Sequence, residues 1–264
     1  MSEKSLLDTT KPNPGRIYDY LLGGHHNFEV DRRAGDFIKS LAPFVPKMVR
    51  LTRWCLQDIA RTLTYERGYR CIIDFASGLP TMGHLHTAVA PGTVVIYSDR
   101  DPICVEYSRE ILGDTPNVYY FQADCRRPEE LLNRPEVEAI LGGNRRVAFV
   151  YWAITGFMTD EEIANVARVL YDWSDEGSCW AVFLMEGNPE HPTAKRILDF
   201  YRQIGEPVYY RPLAVFRELV QPWQPDELGF RTLEEWHGLQ DTMTEDDKQF
   251  IAAGGGGYGV YLVK

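Results

Sequence analysis

The sequence predicts an α/β fold in which a mostly parallel sheet is covered by helices on both faces. Two observations carry that prediction. Five apolar runs of strand length recur between residues 70 and 186, and helical stretches with one apolar face stand between them. A strand buried on both faces reads as a continuous apolar run, and a parallel neighbour needs a crossover that a helix supplies.

The expected strands are RCIIDF at 70–75, TVVIYSD at 93–99, NVYYFQAD at 117–124, RRVAFVYW at 145–152 and SCWAVFLME at 178–186. DPICVEYSREIL and TDEEIANVARVLYDW read as helices between them. Thr159 is the expected N-cap of the second, with Glu161 and Glu162 in its first turn. Ahead of the first strand, Met48, Leu51, Cys55, Ile59 and Leu63 recur at helical spacing, with Pro46 near the start of that helix. One further helix precedes it. Tyr18, Leu21 and Leu22 lie along one face of a first helix that Gly23 and Gly24 end. Residues 1 to about 15 read as a loose polar arm. Beyond the fifth strand, PLAVFRELV is expected as a helix, QPWQPDELGF as a loop, and GGGGYGVYLVK as a glycine connection with a short final strand. The domain plan is an arm and helical cap at 1–67 and a sheet domain at 68–264, forming one compact unit.

The chain of 264 residues, 44% apolar, suffices for one sizeable core with an added cap. A net charge of −10 argues against nucleic acid as a partner. The five cysteines are odd in number and include no close pair, so neither a disulfide framework nor a thiolate metal site is expected. No D-x-D or H-E-x-x-H pattern suggests a metal. The opening MSEKSLLDTTKPNPG lacks the plan of a signal peptide and no apolar run reaches the length of a membrane span, so a cytoplasmic protein is expected. A homodimer suits a chain of this size, although no feature calls for one.

In an open α/β sheet, ligands sit beyond the carboxyl ends of the strands. Asp74 closes the first strand, Asp99 and then Asp101 the second, and Asp124 the third, while Trp152 and Thr155 follow the fourth. Gly78 removes a side chain where the first turn would approach a ligand. Asp99 would accept both hydroxyls of a ribose, Asp124 an adenine amino group, and Asp74 an ammonium or ordered water. Each acid alone is as well explained as a helix cap, Asp124 for RRPEELL among them. Together in chain order with a glycine turn they point to an adenosine-type cofactor. NAD and S-adenosylmethionine both satisfy the pattern, and absence of G-x-G-x-x-G weighs against NAD.

Several segments resemble a known family. RIYDYLLGGHHNF resembles the N-terminal signature of the S-adenosylmethionine-dependent methyltransferases abundant in actinobacteria, formerly a domain of unknown function. DFASGLPT resembles their cofactor turn, HLHTAV the segment after it, VVIYSDRDP and QADCRRPEEL the second and third strand ends, and ITGFMTDEE the stretch after the fourth strand. WQPDE resembles a W-x-P-D piece near the tail. The likeness is good over about residues 14–165. It implies the Rossmann-like class I methyltransferase fold, with a seven-stranded, mostly parallel sheet ending in an antiparallel hairpin and an N-terminal helical extension. It implies S-adenosyl-L-methionine as cofactor. Asp74 and Gly78 would edge its methionine portion, Asp99 its ribose and Asp124 its adenine, and Arg16, Tyr18, Gly23, Gly24 and Asn27 would fold over the site. Ala76 replaces the first glycine of the turn, where its methyl group would crowd the methionine portion. His25 and His26 replace a lysine and an acid.

The expected activity is methyl transfer to a small-molecule acceptor. Its alternatives are a non-catalytic adenosyl-ligand-binding protein and an NAD-dependent oxidoreductase. A general base helps where the acceptor carries a proton, and His25 and His26 are candidates because imidazole titrates near neutrality. Tyr18 and Tyr20 would orient the acceptor. Trp152 is expected at the border of the pocket, and Tyr209, Tyr210 and Trp223 either in a cap over it or packed within the C-terminal region. His86 is expected beside the cofactor turn; His84 and His86, at i, i+2, point apart if a helix has begun there; His191 is expected in solvent, and His237 capping or packing an interface. Phe149 is expected in the core.

Overall fold

A computed structural model describes residues 9–251 and 256–264 of the chain. Three helices come first: α1 (Pro14–Leu22), α2 (Glu29–Leu41) and α3 (Val45–Arg61), the last running into a π turn at Thr62–Glu66. Asn13 starts α1 by accepting the N–H groups of Gly15 and Arg16, and Pro14 stands where no N–H is needed. Gly23 stops α1 in the left-handed region at φ 92°, and its N–H returns to the last turn.

Then come β1 (Cys71–Phe75), β2 (Val94–Asp99), α4 (Pro102–Leu112), β3 (Val118–Gln122), α5 (Glu129–Leu132), α6 (Pro135–Leu141) and β4 (Ala148–Tyr151). They are followed by α7 (Asp160–Trp173), β5 (Cys179–Glu186), α8 (Pro192–Gln203) and α9 (Leu213–Leu219). The chain closes with β6 (Gln224–Pro225), β7 (Arg231–Thr232), α10 (Leu233–Trp236), α11 (Glu245–Phe250) and β8 (Gly256–Val263). The expected capping box is present at α7, where Thr159 and Glu162 exchange side-chain and backbone bonds.

The sheet runs β3-β2-β1-β4-β5-β8-β6, with β7 also paired to β8. β1 to β5 are parallel, and β8 lies antiparallel to β5 from Cys179↔Val263 to Glu186↔Gly256. The sheet has eight strands among the described residues, where seven were expected. The segment expected as a loop supplies Gln224 and Pro225 against Val263 and Leu262, and Arg231 and Thr232 pair separately with Gly259 and Tyr258. Two short strands therefore share the edge of β8. That strand also starts earlier than expected. Gly256 and Gly257 belong to it rather than to a connection, and a Cβ at Gly257 would stand 2.3 Å from the Leu184 carbonyl. Gly254 and Gly255, the rest of that expected connection, lie outside the described residues, as do residues 1–8 of the expected arm.

Successive strand residues face opposite sides of the sheet. Ile73, Phe75, Phe149, Tyr151, Trp180 and Val182 share one core with Ile163, Val166, Ala167 and Leu170 of α7. Ile72, Val95, Tyr97, Val150, Ala181 and Phe183 share the other with Leu51, Cys55, Ile59 and Leu63. The apolar stripe of α3 is thus the cover of one sheet face, at about 1.5–3 kcal/mol for each fully buried chain. This packing fastens the N-terminal helices above the carboxyl ends of the strands.

Candidate functional site

A cavity of about 720 Å³ opens over the carboxyl ends of the strands. Its floor is the β1 turn, with Asp74, Ala76, Ser77, Gly78 and Leu79, joined by Asp99 and by Asp124 to Arg126. Helices α1 and α3 wall one side, with Tyr18, Asp19, Met48, Val49, Thr52, Arg53 and Leu56. The segment around α8 walls the other with His191, Ile197, Tyr201, Val208 and Tyr210. One end is therefore acidic and the other apolar. Of these, Ile197, Tyr201 and Val208 were not singled out in the sequence, because an apolar helical face gives no sign of what it covers.

The β1 turn is tightly fixed. The Ser77 hydroxyl donates to the Asp74 carbonyl at 2.8 Å, and the Ser77 N–H donates to the Ser98 carbonyl at 2.8 Å. The Gly78 carbonyl accepts from the Tyr120 hydroxyl at 2.6 Å, and the Gly78 N–H donates to Asp99 Oδ2 at 3.0 Å. Gly78 has φ 62° with nothing near its missing side chain, a conformation that glycine adopts without penalty. Ala76 has φ 53°, so an L-residue occupies the left-handed region at the floor of the cavity.

The acids differ in their surroundings. Asp74 is buried, and burial pushes its carboxyl up to about 7, against the downward pull of Ser77 and Arg53. Burial likewise raises Asp99 to about 6, although part of its surface still faces the cavity and backbone N–H groups pull it down. Asp99 Oδ2 accepts from Gly78 and Oδ1 from the Asp101 N–H at 2.9 Å. Each oxygen keeps one acceptor site, the number that a vicinal diol requires. For Asp124, burial acts upward, but Arg126 outweighs it and holds the carboxyl below its ordinary range. Arg126 Nε and N–H both donate to Oδ1 and Nη2 to Oδ2, which leaves Oδ2 one acceptor site. Asp124 does not cap RRPEELL, since Pro128 occupies the N-cap of α5. Asp101 does cap α4, accepting the Ile103 N–H at 2.9 Å.

The N-terminal signature forms a buried polar network beneath the cap. Arg16, only 2% exposed, pairs through Nε with Asp31 and through Nη1 with Asp101, each at 2.9 Å. It does not line the cavity. Asp19 accepts from the His26 N–H, the Asn27 amide and the Thr81 hydroxyl at 2.9–3.0 Å. A Cβ on Gly24 would lie 2.1 Å from Asp19 Oδ1, so glycine there admits the carboxylate. Arg16 and Asp19 thus tie α1 to the loops that follow β2 and β1. Asp19, Asp31 and Asn13 were missed in the sequence, although Asn-Pro at 13–14 is a helix-start signal.

Tyr18 lines the cavity, donates its hydroxyl to the Val49 carbonyl at 3.1 Å, and has its phenol pushed up by burial. His25, His26, Gly23 and Asn27 are not in the wall. The His26 ring packs edge-on to Tyr107 at 5.6 Å. Tyr20 bonds to Asp36 on the far side of α1. Trp152 does line the cavity, its indole N–H donating to the Thr52 carbonyl at 2.9 Å.

The histidines expected to diverge instead meet, because His84 caps a 3₁₀ turn rather than entering an α-helix. Nδ1 of His84 and of His86 both contact the Tyr97 hydroxyl, at 2.9 and 3.0 Å. The other His84 nitrogen reaches the Ser77 carbonyl at 3.1 Å, so His84 braces the turn. No group of metal-binding side chains occurs among the described residues. His191 is half-buried in the cavity wall rather than in solvent, capping α8 through Nδ1. His237 closes α10 and pairs with Asp58 while stacking on Trp54. Tyr210 lines the cavity, Tyr209 is exposed, and Trp223 and Phe149 lie in the core. All five cysteines are free and buried. No helix among the described residues is long and apolar enough to cross a membrane.

Comparison with known proteins bears on the family and the fold. A family model described as S-adenosyl methyltransferase matches residues 1–258. The crystal structure of a DUF574 family protein from Streptomyces avermitilis is 29% identical, with a TM-score of 0.85, covering 98% of this chain and 99% of that one. A candidate methyltransferase from Thermobifida fusca is 26% identical with a TM-score of 0.84, covering 98% and 97%. At 12% identity, magnesium protoporphyrin IX methyltransferase from Synechocystis, solved with bound S-adenosylhomocysteine, shares the fold with a TM-score of 0.56 over 100% of both chains. Among curated proteins none matches.

Proposed function

Because the chain belongs to the S-adenosyl methyltransferase family and is an S-adenosylmethionine-dependent enzyme, we propose that its cavity passes a methyl group to a small-molecule acceptor. The carrying observation is the division of one cavity into an acidic floor and an apolar end. Its 720 Å³ lies within the range of small-molecule sites, roughly 300–1,000 Å³. Walls from α1, α3 and α8 favour an acceptor that enters whole over a segment of a macromolecule. In this reading residues 1–67 and 68–264 are the cap and the sheet domain of one unit, joined through Arg16, Asp19 and α3.

When bound, the donor supplies a methyl group activated by its sulfonium. Asp99 would hold the ribose through its two remaining acceptor sites, and Asp124 the adenine amino group through its one. Asp74 would face the amino-acid portion beside the Gly78 turn. Trp152, Phe157, Ile197 and Tyr210 would enclose the acceptor and exclude water, so that catalysis rests chiefly on orientation. Tyr18 is held as a hydrogen-bond donor to Val49. The imidazole in the wall is His191, whose Nδ1 accepts the Thr193 N–H. We assign no role in transfer to His25 or His26.

Incubation with methyl-labelled donor and size-fractionated cell extract tests this reading. Label is expected in the small-molecule fraction. Label confined to protein or nucleic acid would overturn it.

A further inference from the structure

Three arginines line the cavity. Arg100 pairs with Glu206 and Arg126 with Asp124. Arg53 has no ion pair among the described residues, and its Nε and Nη1 have no hydrogen-bond partner although the residue is only 6% exposed. It projects from α3 on the same face as Val49 and Leu56, which also line the cavity, and its guanidinium lies 5.4 Å from the centre of the Tyr18 ring. Asp74 at the end of β1 and His84 feel its charge without bonding to it. A buried guanidinium with two idle nitrogens is costly to the fold unless something pairs with it.

We propose that Arg53 is a carboxylate-binding subsite of the cavity, completed by the ligand rather than by the protein. This rests on the reading of the cavity as a donor and acceptor site. A carboxylate suits it because the guanidinium fork matches two carboxylate oxygens. A single negative charge suits it better than a phosphate dianion. Asp19, Asp74 and Asp99 already line the cavity, and the other two arginines are engaged. The carboxylate belongs either to the amino-acid portion of the donor or to the acceptor.

Calorimetric binding to the parent and to Arg53→Met distinguishes these sources. The probes are S-adenosylhomocysteine, methylthioadenosine, which lacks the amino-acid portion, and benzoate added to the S-adenosylhomocysteine complex. A loss of about ten- to a hundredfold for S-adenosylhomocysteine, with methylthioadenosine unchanged, supports the donor carboxylate. Unchanged S-adenosylhomocysteine binding with benzoate binding lost supports an acceptor carboxylate. Equal behaviour of parent and variant toward all three probes overturns the proposal. If S-adenosylhomocysteine fails to bind the parent, the adenosyl reading fails, and benzoate titrated into the unliganded parent and variant then decides the Arg53 subsite. The unliganded Arg53→Met protein is expected to melt at or above the parent temperature. A clear drop would make Arg53 a structural residue and also overturn the proposal. Arg53→Lys keeps the charge without the fork, and should fall between parent and Arg53→Met in binding.

Discussion

Adenosyl-ligand binding should weaken as pH falls from 7 to 5. Burial holds Asp99 near 6 in the unliganded protein, and an ionised Asp99 is the form that accepts two ribose hydroxyls. About nine-tenths of Asp99 is ionised at pH 7 and about one-tenth at pH 5, which costs roughly tenfold in affinity, about 1.4 kcal/mol. Asp74, held near 7, adds to the loss if the ligand engages its ionised form. Methylthioadenosine separates the two, because it carries the ribose but not the amino-acid portion. Titration calorimetry between pH 8 and 5 should give a roughly tenfold fall for methylthioadenosine and a steeper one for S-adenosylhomocysteine. Asp99→Asn should flatten the methylthioadenosine profile. A flat profile in the parent would refute the placing of the ribose at Asp99.

Other changes test other links. Burial raises Asp74 above its ordinary carboxylate range, so its stabilising contribution is whole below about pH 4 and is lost as pH rises through about 7. Asp74→Asn should therefore gain melting temperature over the parent more at pH 8 than at pH 5 by scanning calorimetry, and a difference that ignores pH would contradict this. Ala76→Gly relieves about 1 kcal/mol of left-handed strain, largely offset by glycine entropy. Its melting temperature should stay level or rise, with S-adenosylhomocysteine bound at least as tightly; weaker binding would show that the Ala76 methyl group serves the site. Asp19→Ala strands three donors and should cost about 2–4 kcal/mol in urea unfolding, with a loss below 1 kcal/mol arguing against the network. His25→Ala combined with His26→Ala should leave S-adenosylhomocysteine affinity within about threefold, since neither residue lines the cavity, and a larger loss would return them to the site.

The sheet was legible because its strands are buried on both faces and so read as unbroken apolar runs. β6 and β7 were not, since two-residue strands carry no periodicity and are selected by the exposed edge of β8. The acids at the strand ends were legible from their position alone. Their differing environments were not, because Arg126 beside Asp124 and the burial of Asp74 depend on tertiary packing. The N-terminal signature was visible as a pattern, yet its residues read as ligand contacts. Arg16 and Asn27 instead join a network within the protein, and Gly24 makes room for Asp19. Arg53 carried a signal that went unused: a charge spaced four residues from Val49 and three from Leu56, on the apolar flank beside the sheet-facing stripe of α3. Such a charge is either paired within the fold or waiting for a partner, and only the structure tells which.

The most direct test is a calorimetric titration of the chain and its Asp99→Ala variant with S-adenosylhomocysteine at pH 7.5. One site per chain is expected in the parent, weakened about a hundredfold in the variant by the loss of two charge-assisted hydrogen bonds. Equal affinity in both proteins, or none in the parent, would contradict the account.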